Sequence, residues 1–271
     1  MKKTVRLALV AGSMASTLAW AQAPEVSLAR IDCGTAAKPV NAALRWIDTF
    51  TPKEVNLTFT FSCYLIRHGD EYMVWDTGFA PGSSPNAPKL GLAERLAEVH
   101  VKPEQVKYVG ISHFHADHTG QLSPLTNATL LIGKGDWDGI NANPPMQGAN
   151  VAGFKDWMGA GARKVEPLTL DKDVFGDGTV MVIRTPGHTP GHMSVLVKLR
   201  SGKNYLVTGD AVHFHENWET NGVPGFNFSR ADTLASIDRM KKIAANLNAT
   251  VVIQHDPRDV GKLPAWPAAA K

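Results

Sequence analysis

Cysteine is nearly absent from this chain. Its 271 residues include two, Cys33 and Cys63. Neither lies near the chain's histidine cluster in sequence, which argues against a thiolate metal site. The two thiols can form one disulfide, closing a loop of about 30 residues worth roughly 3–4 kcal/mol by chain entropy. They can equally stay as two buried thiols, and the sequence leaves both open. Excess charge of one sign is also missing. Lys and Arg number 28 against 25 Asp and Glu. Three of those bases, Lys2, Lys3 and Arg6, fall in the first 21 residues, which carry no acid. The remainder therefore holds 25 of each sign, so a nucleic-acid partner has no electrostatic support.

No apolar run is long enough to span a membrane comfortably. The run from Leu7 to about Ala19 is short and rich in Ala, Ser and Thr. Its basic start and the small-x-small triplet Ala19-Trp20-Ala21 read as a secretory signal peptide, residues 1–21, cleaved after Ala21. The expected mature chain begins near Gln22 and is periplasmic or secreted, with no stable membrane anchor. No short repeat or low-complexity tract appears.

What is present is an alternation of strands and helices. "EVNLTFTFSCYLI" (54–66) and "YMVWD" (72–76) read as a hairpin around "RHGDE". "VKYVGIS" (106–112), "ATLLIG" (128–133), "SVLVKL", "NYLVTGDA" and "ATVVIQHD" (249–256) read as further strands. A helix is expected from Ser229 to about Asn246. Ser229 caps it, and Leu234, Ile237, Met240, Ile243 and Leu247 form its apolar stripe. Residues 138–161, rich in Gly, Asn and Pro, read as a long insert of the kind that forms lids.

Histidine is where the sequence spends unusually. Of ten histidines, three fall within "SHFHADHTG" (112–120): His113, His115 and His118, with Asp117 between them. His188 in "TPGHT", Asp210 in "TGDA" and His255 in "IQHD" each follow an apolar strand. Seven such donors suit two metal ions, for which zinc takes imidazole nitrogen and carboxylate oxygen. His113 and His115 are two apart and point the same way in extended chain, so they can share one ion with His188. Asp117 and His118, turning into a helix, can hold a second with His255. Asp210 can bridge the two.

The order "HFHADH", "PGHT", "GDA", "HD" resembles the metallo-β-lactamase superfamily, whose signature is His-x-His-x-Asp-His. The resemblance implies an α+β fold, a four-layer αββα sandwich over residues 22–271, with the metals at one edge of two sheets. It places the ligand at His188 and not at the nearby His192. It also makes Asp76 of "WDTG" a carboxylate that supports the site from behind. His68, His100 and His192 are read as structural. The implied activity is that of a dinuclear-zinc hydrolase using a metal-bridging hydroxide. Other divalent metals would suit the same donors.

Asp at 210, where antibiotic-destroying members carry Cys or Ser, points to lactones or thioesters. The segments "GDAVHFHENWE" and "FSRADTLASIDRMKKIA" are similar to the N-acyl-homoserine lactonases. Those enzymes carry a tyrosine three residues after the bridging aspartate. Here the position is His213, which can donate to a substrate carbonyl; His215 is expected to face outward. Asp117 and His213 are the candidate catalytic groups. The expected partner is a small molecule with an apolar acyl tail, held by Phe214, Trp218, Phe226, Phe228 or Met146. Another ester, thioester, β-lactam or organophosphate is the alternative substrate, and a zinc-binding non-enzyme is the alternative of another class. Oligomeric state is not legible.

Overall fold

The computed structural model describes residues 24–50 and 54–271; the expected signal peptide lies outside the described residues. Two sheets dominate. The first has six strands: β1 (Val26–Thr35), β4 (Thr60–His68), β5 (Glu71–Trp75), β6 (Val106–Gly110), β7 (Thr129–Gly133) and β8 (Val165–Leu168), in that order. The second has five and runs β13 (Ala249–Val252), β12 (Asn204–Val207), β11 (Met193–Lys198), β10 (Val180–Arg184), β9 (Lys172–Asp173). A small ribbon of β2 (Val40–Asn41) and β3 (Asn56–Leu57) stands apart.

Strand periodicity explains the layering. Successive side chains leave a strand on opposite faces. In β4, Tyr64 and Ile66 enter the core between the sheets, while Cys63 and Leu65 face the outer layer. In β11, Val195 and Val197 face inward and Leu196 outward. Burying both faces requires a helical layer on each side. Leu92 and Leu96 of α2 (Leu92–Glu98) and Ile140 of α4 (Lys134–Asn141) cover the first sheet. Ile237, Met240 and Ala244 of α6 (Arg230–Leu247) cover the second. This is the expected αββα sandwich.

Direction matters more than layering for function. β5, β6 and β7 run parallel, as do β12 and β13, and β10 runs with β12 because both are antiparallel to β11. Five strands, β5, β6, β10, β12 and β13, therefore finish just ahead of Asp76, His113, His188, Asp210 and His255. Three short helices complete the frame: α1 (Ala42–Arg45), α3 (Ala116–Thr119) and α5 (His215–Thr220).

Several local expectations shift. The 54–66 strand breaks into β3 and β4, and the hairpin turn shrinks to Gly69-Asp70. Ser229 does cap α6, its Oγ accepting from Asp232 N at 3.2 Å. Of the expected stripe, Ile237 and Met240 are buried and Ile243 and Leu247 pack against the same cluster, while Thr233, Ser236 and Ala244 are buried beside them. The first turns of the helix meet the 185–188 loop, where Ser236 Oγ donates to Pro186 O at 2.7 Å. The 138–161 segment is no free lid. It contains the end of α4 and a 3-10 helix, Val151–Trp157, whose Phe154 and Trp157 are buried in the outer core.

Cys33 and Cys63 are joined, with Cα atoms 5.8 Å apart on the paired strands β1 and β4. Replacing both by alanine should lower the unfolding free energy by about 3 kcal/mol, by loss of the constraint on the unfolded chain. Denaturant melts of the variant and of the reduced parent check this; midpoints equal to that of the oxidised parent would contradict it.

Candidate functional site

β6 delivers the histidine-rich segment. Beyond Gly110 the chain leaves the sheet and bends at Ser112, Phe114 and His115 before the single turn α3, which carries Asp117 and His118. The turn into α3 separates the donors. His113 Nε2 lies 2.8 Å from His115 Nδ1, and His188 Nε2 lies 3.2 Å from that same atom. Asp117 Oδ2 points elsewhere and stands 3.6 Å from both His118 Nε2 and His255 Nε2.

Asp210 lies between the two groups. Its Oδ1 is 3.3 Å from His118 Nε2 and 2.9 Å from His255 Nε2. Its Oδ2 is 3.8 Å from His113 Nε2 and 3.5 Å from His188 Nε2. Thus all seven expected residues meet in two sets, His113–His115–His188 and Asp117–His118–Asp210–His255, and within each set the donor atoms lie within 4.8 Å of one another. Asp210 is presented by a 3-10 turn, Gly209–Ala211. Gly209 is in the left-handed region at φ 55, and a Cβ there would come within 2.7 Å of His192 Nε2, so no side chain fits.

The outward nitrogens of these imidazoles are tied down. His118 Nδ1 donates to Asp76 Oδ2 at 2.8 Å, His255 Nδ1 to Thr60 O at 2.8 Å, and His188 Nδ1 to Asn227 Oδ1 at 2.9 Å. His113 Nδ1 lies 3.1 Å from Ser112 Oγ. Such partners select the tautomer that leaves Nε2 as a lone pair facing inward. Asp76 also accepts from Ser112 N, Ser112 Oγ and Gln254 Nε2, at 2.7, 2.8 and 2.8 Å.

The electrostatics suit a cation. Burial, reinforced by neighbouring imidazoles, holds His113 and His188 well below the usual histidine range, so both are neutral donors. Burial also penalises His118 and His255, but the carboxylates of Asp210 and Asp117 outweigh it and raise both. His118 Nε2 and Asp210 Oδ1 are buried yet make no hydrogen bond. Buried polar atoms rarely lack partners. Here they converge on a common point without bonding one another, which a divalent cation would satisfy. The donor set, imidazoles and carboxylates without thiolate, fits a first-row dication.

The remaining histidines behave differently. His192 is buried, with Nδ1 near Thr185 and Nε2 accepting from Asp210 N at 2.9 Å, so it holds the 3-10 turn. His68 stacks on Phe175 far from the site, with Asp177 at 2.7 Å. His215 points away from the donors toward Asp259 Oδ1 at 2.6 Å. His213 is buried, with Nε2 3.2 Å from Asp210 Oδ2, and its donor atom groups with those of His188 and Asp210.

Above the donors lies a cavity of about 500 Å³. Its walls include Trp46, Phe59, Phe61, Phe79 and Phe226, and Asp117, Asp210 and His213 reach it. Of the apolar candidates named from sequence, Phe226 lines this cavity, and Phe228 and Met146 line an adjoining groove. Phe214 is instead core behind the wall, 6.3 Å from Phe59, because it shares a cluster with the N-terminal aromatics. Trp218 packs on the helix layer of the second sheet. The sequence reading missed Trp46, Phe59, Phe61 and Phe79, which come from strands and loops before the histidine motif. Nothing local marks them as cavity-facing.

A family model described as the metallo-beta-lactamase superfamily matches residues 61–255. The chain belongs to this superfamily. It is 33% identical over 213 residues to the N-acyl homoserine lactonase AttM of Rhizobium johnstonii, covering 72% of this chain and 81% of that one. It is 36% identical over 170 residues to the AttM lactonase of Rhizobium radiobacter, covering 62% of this chain and 64% of the relative, so the match spans just under two thirds of that relative's length. Among solved structures, an N-acyl homoserine lactone hydrolase with N-hexanoyl-L-homoserine at its catalytic metal centre superposes with TM-score 0.75. It is 21% identical and covers 92% of this chain and all of the other, a likeness of fold. The superfamily implies a dinuclear metal site, and the two His/Asp sets are groups that could hold one.

Asp76→Asn would turn an amide N–H₂ toward groups that are themselves donors. It should weaken divalent-cation binding by about 10- to 100-fold, the usual cost of losing such an orienting partner. Chelator competition measures it; unchanged affinity would mean that Asp76 serves folding alone.

Proposed function

We propose that this chain is a dinuclear zinc-dependent hydrolase that opens the lactone ring of N-acyl-homoserine lactones. The observation that carries the reading is two donor sets sharing Asp210 at the floor of a cavity walled by aromatic rings. A hydrophobic wall beside a few converging polar groups suits a small amphiphile with an acyl tail. The similarity to AttM lactonases supports the substrate class.

In this reading His113, His115 and His188 would hold one ion and Asp117, His118 and His255 the other, with Asp210 available to both. Bound zinc lowers the pKa of coordinated water and polarises the ester carbonyl. The chain's own residues do the rest. The aromatic wall fixes the acyl tail and excludes water around the ester. His213, three residues after Asp210, donates to the carbonyl oxygen as negative charge builds there. Asp117 faces the cavity and carries the proton lost by the attacking water to the ring oxygen as the carbon–oxygen bond opens. The product is the ring-opened hydroxy acid.

The grouping of His213 with His188 and Asp210 favours a second reading of that residue, as a further metal ligand. His213→Ala decides between them. A carbonyl donor predicts unchanged metal content and turnover lowered by roughly 10- to 1000-fold. Loss of metal would assign His213 to the ions instead.

The reading also includes export. The N-terminal pattern proposes a periplasmic or secreted mature chain beginning near Gln22. The Cys33–Cys63 bond agrees, since disulfides persist in oxidising compartments. Among the described residues, no helix is long and apolar enough to cross a membrane.

Lactones of graded acyl length, a thioester and a chromogenic β-lactam, assayed on the metal-loaded mature protein, test the activity. Lactone turnover should exceed the others, and Asp210→Ala should abolish most of it while releasing metal from both sites. Metal binding without turnover on any substrate would leave a binding protein and refute the hydrolase.

A further inference from the structure

Asp136 was not singled out by any sequence motif, yet it is wholly buried beside the site. It is the third residue of α4. Its Oδ2 accepts from Phe114 N at 3.1 Å and from Thr189 Oγ1 at 2.8 Å, and its Oδ1 accepts from Gly191 N at 2.6 Å. Phe114 lies between His113 and His115, and Thr189 follows His188. One carboxylate thus bonds both loops that supply the first donor set, one loop from each sheet.

The approach is locked by backbone. A Cβ on Gly133 would lie 1.8 Å from Gly191 O, and one on Gly191 would lie 2.3 Å from Asp136 N. Neither position admits a side chain, so the start of α4 and the 187–192 loop meet at a fixed distance. Among the described residues no ion pair to Asp136 is formed. Burial without a cation pushes its pKa up to about 7, against the pull of its three donors. Keeping such a group costs stability, which a neutral or apolar residue would avoid. An acid is still the group that fits, because a carboxylate alone offers acceptors in every direction to three converging donors.

We propose that Asp136 is a positioning residue that holds the His113–His115 loop against the His188 loop, and thereby sets the metal affinity of that half of the site without touching ion or substrate. The inference rests on reading the two donor sets as a metal pair. It adds a second support to the one at Asp76: Asp76 stands behind His118 and, through Ser112, His113, and Asp136 behind the segments that carry His115 and His188.

The test compares the metal-loaded mature protein with Asp136→Asn, whose amide would face at least one donor with another. Stepwise cobalt(II) or zinc(II) affinities are measured by chelator competition, with cobalt absorption reporting each site, and folding is followed by circular dichroism. We expect one of the two sites to weaken about 10- to 100-fold. The other should be unchanged, and its cobalt bands retained. Turnover should fall at limiting metal and recover with excess metal, with KM moved less than about twofold. Thr189→Val, which removes one of the three bonds, should weaken the same site by less and serves if the Asn variant fails to fold. Loss of both sites in parallel, or neither, would overturn the inference and leave Asp136 a folding residue. A parent protein that binds fewer than two ions would instead defeat the metal-pair reading.

Discussion

The carboxylate of Asp210 is buried with imidazole nitrogens around both oxygens, His118 and His255 on one side, His113 and His188 on the other. Buried charge of this kind is tolerated when opposite charge or metal compensates it. The architecture follows from meeting that condition. The five strands that point at Asp210 come from both sheets, so neither sheet alone can assemble the donors. The hydrophobic core between the sheets, built on Tyr64, Ile66, Trp75, Val195 and Val207, is therefore also what fixes the spacing of the two donor sets. A close-packed core holds such spacing to fractions of an ångström.

Around the donors a layer of polar groups restricts each imidazole to one tautomer and one rotation. Thr60 O, Asn227, Ser112 and Asp76 each do this for a different histidine. Asp136 does the comparable work for backbone. His192 repeats the local pattern of His188 but binds Asp210 N, which shows how two adjacent Pro-Gly-His triplets acquire different work. The first presents its ring to the cavity, the second to the turn beneath the carboxylate.

The cavity wall has a separate origin. Trp46, Phe59, Phe61 and Phe79 precede the histidine motif in the chain and form one aromatic cluster with Phe214. Phe226 joins them from the second half, 6.2 Å from Trp46. Arg45 lies over both Trp46 and Phe226, at 5.4 and 5.3 Å from the ring centres, and closes the rim. The cavity wall is thus built from residues that the metal motif does not contain.

That the seven His and Asp residues and Asp76 would come together was legible from the sequence, because they stand in short motifs at strand ends, where residue type and spacing carry the information. The αββα layering was legible through the same resemblance, and the strands through apolar runs. The choice between disulfide and free thiols was not, since it depends on β1 lying beside β4. The apolar stripe of α6 was legible at Ile237, Met240, Ile243 and Leu247, but Thr233 and Ser236 were not, because they are buried against a loop distant in sequence. Phe214 and Phe226 could not be told apart, since which aromatic ring faces the cavity depends on the partners on every side. Asp136 left no trace, because its three donors come from segments 22 to 55 residues away. The sequence by itself determined which atoms are offered to the site. Tertiary structure alone decided how those atoms are aimed and what encloses them, because aim and enclosure come from contacts between segments far apart in the chain.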